Sequence, residues 1–303
     1  DVSEYAVEGE NEVKVRVESP TDNPAVFPDA PFAEIPFGKQ SWYGPLSGIW
    51  QSVELVRRIP DHIAMLRLVP VRRTGDVTAF VRFAEPLAGD GTLNWTVTGP
   101  DGNAVRQGWI DMAAGSASRT FALQVPRPCD WSPDTPNLYR LDAELDRGGA
   151  IVDRFATRFG FRDIETRDGR FYLNDEPFYL LGALDQDYYP DLISTPPSTE
   201  FIRDQFRKAK ELGLNTLRCH IKAPDPRYYD AADEIGLLIW TELPNGGLST
   251  ERSRARKERL LKGIVDRDGN HPSIVVWTII NENWGVDLVH DADHRAWLRQ
   301  TFA

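Results

Sequence analysis

Cysteine is almost absent from this chain of 303 residues, which has only Cys129 and Cys219. Two cysteines in segments of different character build neither a disulfide framework nor a zinc motif. No apolar run reaches the roughly 18 residues that a membrane helix requires, so no membrane partner is expected. Positive charge is in deficit. Against 46 Asp and Glu stand 35 Lys and Arg, a formal net charge of -11. A nucleic-acid partner, whose phosphates call for clustered cations, is therefore not expected. The opening "DVSEYAVEGENEVKVRV" has no basic start followed by an apolar stretch, so no signal peptide is visible and localisation stays open. A phosphate-cradling Gly loop and a His-Glu-x-x-His helix are also missing, and no cofactor is called for.

What the chain does have is apolar and aromatic mass. It is 41% hydrophobic and 11% aromatic, with nine Trp, enough at this length for two or three separate cores. Residues 1–62 contain two alternating runs, "EVKVRVE" (12–18) and "SVELVRR" (52–58), that read as half-buried strands. Two strands cannot close a core, so this part reads as the remainder of a β-sandwich. Residues 63–163 read as short antiparallel strands between turns. In "TLNWTV", Leu93, Trp95 and Val97 share a face, and in "LYRLDAEL" so do Tyr139, Leu141, Ala143 and Leu145. That pattern predicts an immunoglobulin-like sandwich.

From 164 to 303 the pattern changes to strands alternating with helices. "PFYLLGAL" (177–184), "LNTLRCH" (214–220), "LLIWTEL" (237–243) and "SIVVWTII" (273–280) read as strands. Helices are predicted at about 198–212, capped by Gly213, from Asp225-Pro226 to Gly236, and at about 250–265. Alternation of this kind implies a parallel sheet. The turn after the first strand, Gly182-Ala-Leu-Asp-Gln186, is no dinucleotide-binding loop, and the first half of a (β/α)8 TIM barrel fits better. The fold class is thus multidomain, β plus α/β. A start in mid-domain and a last helix without a cap suggest a piece of a longer protein, truncated at both ends.

In such a barrel the chemistry sits at the C-terminal ends of the strands. Those ends carry Asp185, Gln186, Asp187 and Tyr188; then Arg218, Cys219, His220 and Lys222; then Thr241 and Glu242; then Asn281, Glu282, Asn283 and Trp284. Carboxylates, amides and stacking rings at one mouth suit a sugar. Glycoside cleavage pairs a carboxylic acid that protonates the leaving oxygen with a second carboxylate. A proton donor keeps its proton near neutral pH through burial or a neighbouring carboxylate, and Glu282, at the tip of an apolar strand and beside Trp284, is placed for that. Each residue also has a plainer reading. Glu282 could cap the next helix, Arg218 could be a structural ion-pair partner, and His220 and Glu242 could belong to the scaffold. Asp185 and Asp187 could hold a turn, Trp277 reads as core, and Cys219 reads as a small buried side chain. A metal held by Asp185, Asp187, His220 and Glu242 is conceivable, but the spacing is generic, and no metal is assigned.

Several stretches together resemble glycoside hydrolase family 2, the family of β-galactosidases, β-glucuronidases and β-mannosidases. They are "GKQSWYGPLSGIWQSVEL" (38–55), "WSPDTPNLYRL" (131–141), "RFGFRDIETRDGRFYLNDEPFYLLGAL" (158–184), "LGLNTLRCHI", "DEIGLLIWTELP" and "NHPSIVVWTIINEN", in the family's order. The resemblance makes residues 1–62 the C-terminal part of a jelly-roll domain. It implies a retaining exo-β-glycosidase acting on terminal β-linked sugars, with Glu282 as general acid/base and Asn281 hydrogen-bonding the sugar's 2-hydroxyl. Arg218 would orient the nucleophile, a second Glu on a seventh strand that these 303 residues do not include. His220, Asp185, Asp187, Glu242 and Trp284 would complete the substrate pocket. The loop "ALDQDYYPD" departs from the better-known members and resembles a subset with Asp-Gln-x-Tyr there, which leaves the sugar open. A homo-oligomer of the full-length protein is compatible with all this. The rival reading is a carbohydrate-binding or scaffold protein that kept the barrel and lost the chemistry.

Overall fold

A computed structural model of the chain describes residues 2–29, 31–39 and 48–302. Seven strands make the first folded unit: β1 (Ile63–Val71), β2 (Asp76–Phe83), β3 (Gly91–Thr98), β4 (Ala104–Met112), β5 (Ser118–Gln124), β6 (Tyr139–Arg147) and β7 (Ala150–Phe159). They form two antiparallel sheets, ordered β1-β2-β5 and β4-β3-β6-β7. The alternating residues of β3 and β6 face inward as expected, and with Val77, Val81, Phe121 and Phe159 they form one core between the sheets. Tyr139, at the start of β6, accepts a hydrogen bond at its hydroxyl from the Cys129 backbone N–H (2.8 Å). This resembles the tyrosine corner of immunoglobulin-like sandwiches.

A small antiparallel sheet follows, β8 (Ile164–Arg167), β9 (Arg170–Leu173) and β10 (Glu176–Phe178), and then β11 (Gly182–Asp185). The single strand expected over 177–184 is therefore two. Pro177 lies in the edge strand β10, where its missing N–H costs no ladder bond. Strand β11 opens a different sheet.

That sheet is parallel, ordered β11-β12-β13-β14, with β12 (Thr216–Cys219), β13 (Leu238–Glu242) and β14 (Ile274–Thr278). Between its strands run α1 (Thr199–Glu211), α2 (Pro226–Ile235) and α3 (Glu251–Asp268), and α4 (Ala292–Phe302) follows. The helix starts are set by local chemistry. Ser198 accepts from Phe201 N–H, Asp225 from Arg227 N–H just ahead of Pro226, and Thr250 forms a capping box with Ser253. Ile202 and Phe206 of α1 and Tyr228 and Tyr229 of α2 cover one face of the sheet, packing on Leu217, Cys219 and Ile239. The opposite face presents Leu184, Arg218, Trp240 and Thr278 and is exposed or half-buried.

The sandwich is tied to the end of this sheet where the strands begin. Trp131 Nε1 donates to Asp233 O (3.1 Å), and Arg162 donates to Pro272 O (3.0 Å) and Ile274 O (2.6 Å). Asn270 pairs with the backbone of Leu66 and Leu68. The C-terminal strand ends lie at the far side, where Phe37 and Gly38 approach them.

The N-terminal expectation needs correction. Among the described residues before Ile63 there is no strand. The runs 12–18 and 52–58 alternate as strands do, yet Val13, Val15, Val53 and Leu55 are exposed. Alternation makes a strand only where a neighbour supplies hydrogen bonds and an apolar face, and no described segment does so. Residues 40–47 of the "GKQSWYGPLSGIWQ" stretch lie outside the described residues. One piece before Ile63 does dock. A 3-10 turn at Phe32–Glu34 places the buried Glu34 carboxylate against Thr250 Oγ1 (2.9 Å), Arg252 Nε (3.1 Å) and Arg256 Nη1 (3.3 Å), at the start of α3.

Candidate active site

The four strand ends converge as their positions in a parallel sheet require. The register pairs Asp185 with Cys219, Cys219 with Thr241, and Glu242 with Thr278. Three of the four loops that follow turn through a non-glycine residue in the left-handed region: Asp187 (φ 49°), Ile221 (φ 42°) and Glu282 (φ 54°). Such conformations cost free energy and persist where the surroundings fix them.

Glu242 is the centre of the network. Its carboxylate is buried and accepts from Arg218 Nε, from the Ile221 backbone N–H (2.8 Å), and pairs with His220 Nδ1 (3.0 Å). Arg218 then donates from Nη2 to Asn281 Oδ1 (2.7 Å) and lies with its guanidinium 5.0 Å from the Trp240 ring centroid. Trp240 in turn donates to Thr278 Oγ1 (2.6 Å). Arg218, His220, Glu242 and Asn281 are thus brought into one connected group. Burial pulls the His220 pKa below its usual value; Glu242 opposes the shift, while the charges of Lys39 and Arg218 add to it. Asn281 Nδ2 is buried with no acceptor among the described residues.

The β11 loop forms a second group. Asp185 accepts from Tyr228 OH (2.7 Å) and from Asp187 N–H (2.8 Å). Asp187 is buried, paired with Lys222 Nζ (2.5 Å) and hydrogen-bonded by Tyr189 OH (2.5 Å). Burial raises the Asp187 pKa despite the Lys222 charge beside it. Lys222 also donates to the carbonyls of Asp187 (2.7 Å) and Ser194 (2.8 Å). Asp185 ties the loop to α2 and Asp187 ties it to Lys222 just after β12, and neither carboxylate is left without a partner. Cys219 is fully buried, in keeping with the plain reading of a small core side chain.

Glu282 differs from the sequence expectation in one respect. Its side chain is exposed, so the described residues do not supply the burial that was to keep its proton. A half-buried Trp284 lies two residues on, its ring 6.2 Å from that of Phe37 of the docked N-terminal segment. Among the described residues, no three His, Cys, Asp or Glu side chains gather as a metal site would need.

Two participants escaped the sequence reading. Lys222 stood among the strand-end residues without a role. Asn245, in Pro244-Asn-Gly-Gly, looks like an ordinary turn residue, yet it is fully buried against the β14 tip. No local signal separates that Asn from one in a surface turn.

Comparison with known proteins gives a consistent picture. The sequence model described as "Glycosyl hydrolases family 2" matches residues 68–162, and that described as "Glycosyl hydrolases family 2, TIM barrel domain" matches residues 164–301. A putative beta-glucuronidase of Formosa agariphila is 28% identical over 299 residues, covering 97% of this chain and 35% of that protein. A beta-galactosidase of Photobacterium profundum is 28% identical over 323 residues, covering 99% of this chain and 30% of its own length. Among solved structures, the apo structure of Bacteroides uniformis beta-glucuronidase 3 superposes with a TM-score of 0.66 at 27% identity, covering 79% of this chain and 31% of that one. The chain spans about a third of the length of the curated relatives it matches.

Proposed function

Because the chain belongs to glycosyl hydrolases family 2, we propose that the whole protein is a retaining exo-β-glycosidase. Glu282 is its general acid/base, and its substrate is a terminal β-galactoside, β-glucuronide or β-mannoside. The observation that carries the reading is the connected group Glu242–Arg218–Asn281, which ends one residue before Glu282. A buried carboxylate fixes the guanidinium and the guanidinium fixes Asn281 Oδ1. The Nδ2 of that amide, without an acceptor among the described residues, is the group this reading assigns to a sugar hydroxyl.

In this reading a second carboxylate attacks the anomeric carbon as the glycosidic C–O bond breaks, and Glu282 passes its proton to the departing oxygen. Water then attacks the glycosyl ester, Glu282 takes the water's proton, and the second carboxylate leaves. That second carboxylate comes, in this proposal, from outside residues 1–303. Glu242 is held by Arg218, His220 and the Ile221 N–H, and Asp185 and Asp187 are committed to the β11 loop. With Glu282 exposed on this side, the neighbour that keeps it protonated is the second carboxylate itself, about 5–5.5 Å away in retaining enzymes. Asp185, Asp187 and His220 then shape the pocket from behind, and Trp284 offers a ring for stacking. We further propose a division of the chain at 62/63 and 163/164.

The test is a panel of 4-nitrophenyl β-galactoside, β-glucuronide, β-mannoside and β-glucoside with the whole protein. Cleavage of one of the first three with retention of the β-anomer in the first-formed product is expected. Binding of the sugars without cleavage of any would return the protein to the class of binding modules.

A further inference from the structure

Strand β14 loses its sheet partner at Thr278, three residues before Asn281. The chain must still present Glu282 in a left-handed conformation, at φ 54°. One buried side chain takes over where the sheet stops. Asn245, 0% exposed, donates from Nδ2 to Ile279 O (3.0 Å) and accepts at Oδ1 from Asn281 N–H (2.8 Å). Beyond the end of β14, one carboxamide thus supplies a donor and an acceptor to two backbone groups of the bend that leads to Glu282. Asn245 is itself fixed from the front, because its carbonyl accepts from Gly38 N–H (2.9 Å). Gly38 sits so close to the loop after β12 that a Cβ would lie 2.1 Å from Ile221 O. Asn281 is therefore held by its backbone through Asn245 and by its side chain through Arg218.

We propose that Asn245 is the positioning residue of Glu282: its carboxamide sets the backbone from which the acid/base turns toward the glycosidic oxygen. This rests on the reading of Glu282 given above. The side-chain type is demanding. Asp has the acceptor without the donor, Gln is one methylene too long, and Ala has neither group. Asn245 does not touch the sugar, so its effect appears only in the step that Glu282 serves.

The whole protein is assayed with the 2,4-dinitrophenyl, 4-nitrophenyl and phenyl β-glycosides of the sugar that the panel identifies. A dinitrophenolate leaves without a proton, whereas phenolate needs one. For Asn245→Ala and Asn245→Asp, kcat/KM on the phenyl glycoside is expected to fall about 10- to 100-fold, since a displaced general acid forfeits part of its contribution. On the dinitrophenyl glycoside the loss stays under about threefold. Asn245→Asp, equal in size and retaining the bond to Asn281 N–H, keeps the readout should Asn245→Ala not fold. Equal loss on all three substrates at an unchanged melting temperature, or no loss on any, overturns the proposal. Glu282→Gln is the benchmark. If it lacks the leaving-group dependence, the assignment of the acid/base fails; if it shows the dependence and both Asn245 variants do not, only the role of Asn245 fails.

Discussion

Glu242 and Glu282 stand at neighbouring strand tips in opposite surroundings. Glu242 is enclosed by an arginine, a histidine and a backbone N–H, while Glu282 is exposed. A carboxylate committed to fixed partners can orient other groups but is badly placed to trade protons, whereas an open one at a pocket rim can do so once a like charge sits beside it. Lys257 shows the cost of burying charge without such partners. Its amine is buried on α3 with no acceptor among the described residues, and burial lowers its pKa below the usual 10.5. An unpaired buried polar group costs about 1–3 kcal/mol, so Lys257→Met is expected to raise the melting temperature at neutral pH. The sign with pH follows from the direction of the shift. Between the depressed folded pKa and 10.5 the unfolded chain binds more protons, so the wild type gains stability as pH rises through that window. The advantage of Lys257→Met should therefore shrink toward alkaline pH in melts between pH 7 and 10. A variant less stable than wild type at pH 7 would show that the amine has a stabilising role.

At the scale of elements, the helices were legible because their signals are local. Ser198, Asp225-Pro226, Thr250 and the stops at Gly213 and Gly236 lie within a turn of the ends they define. Gly236 is required twice over. It takes φ 75° at the end of α2, and a Cβ there would lie 2.4 Å from Pro133 O in the sandwich. Gly236→Ala is therefore expected to cost about 1–3 kcal/mol, more than the usual loss at a helix C-terminus, read as a drop in urea midpoint. An effect within about 0.5 kcal/mol would show that the junction yields there. Strands were less legible, because their partners are distant in sequence. The runs 12–18 and 52–58 carry the period of a strand and find no neighbour among the described residues, while 177–184 carries apolar residues across a break between two sheets. In the site, Arg218, His220, Glu242 and Asn281 could be foreseen from their places at strand ends. Asn245 and Lys222 act through contacts 34 to 36 and 28 to 35 residues away in sequence, which no local pattern records.

At the scale of the whole molecule, the sandwich grips the end of the parallel sheet where its strands begin, away from the strand ends that carry Arg218, Glu242 and Glu282. Relatives about three times as long match this chain over about a third of their length. If the second carboxylate lies outside residues 1–303, these residues expressed alone hydrolyse no aryl glycoside; turnover by them that Glu282→Gln abolishes would place both carboxylates within the chain. The assignment of Glu282 is tested most directly by the pH dependence of kcat/KM for phenyl glycoside hydrolysis by the whole protein and its Glu282→Gln variant. The wild type should lose rate at alkaline pH as its acid gives up the proton, and Glu282→Gln should be about 10²- to 10⁴-fold slower and lack that alkaline fall. An alkaline limb retained in the variant at an undiminished rate would contradict the account.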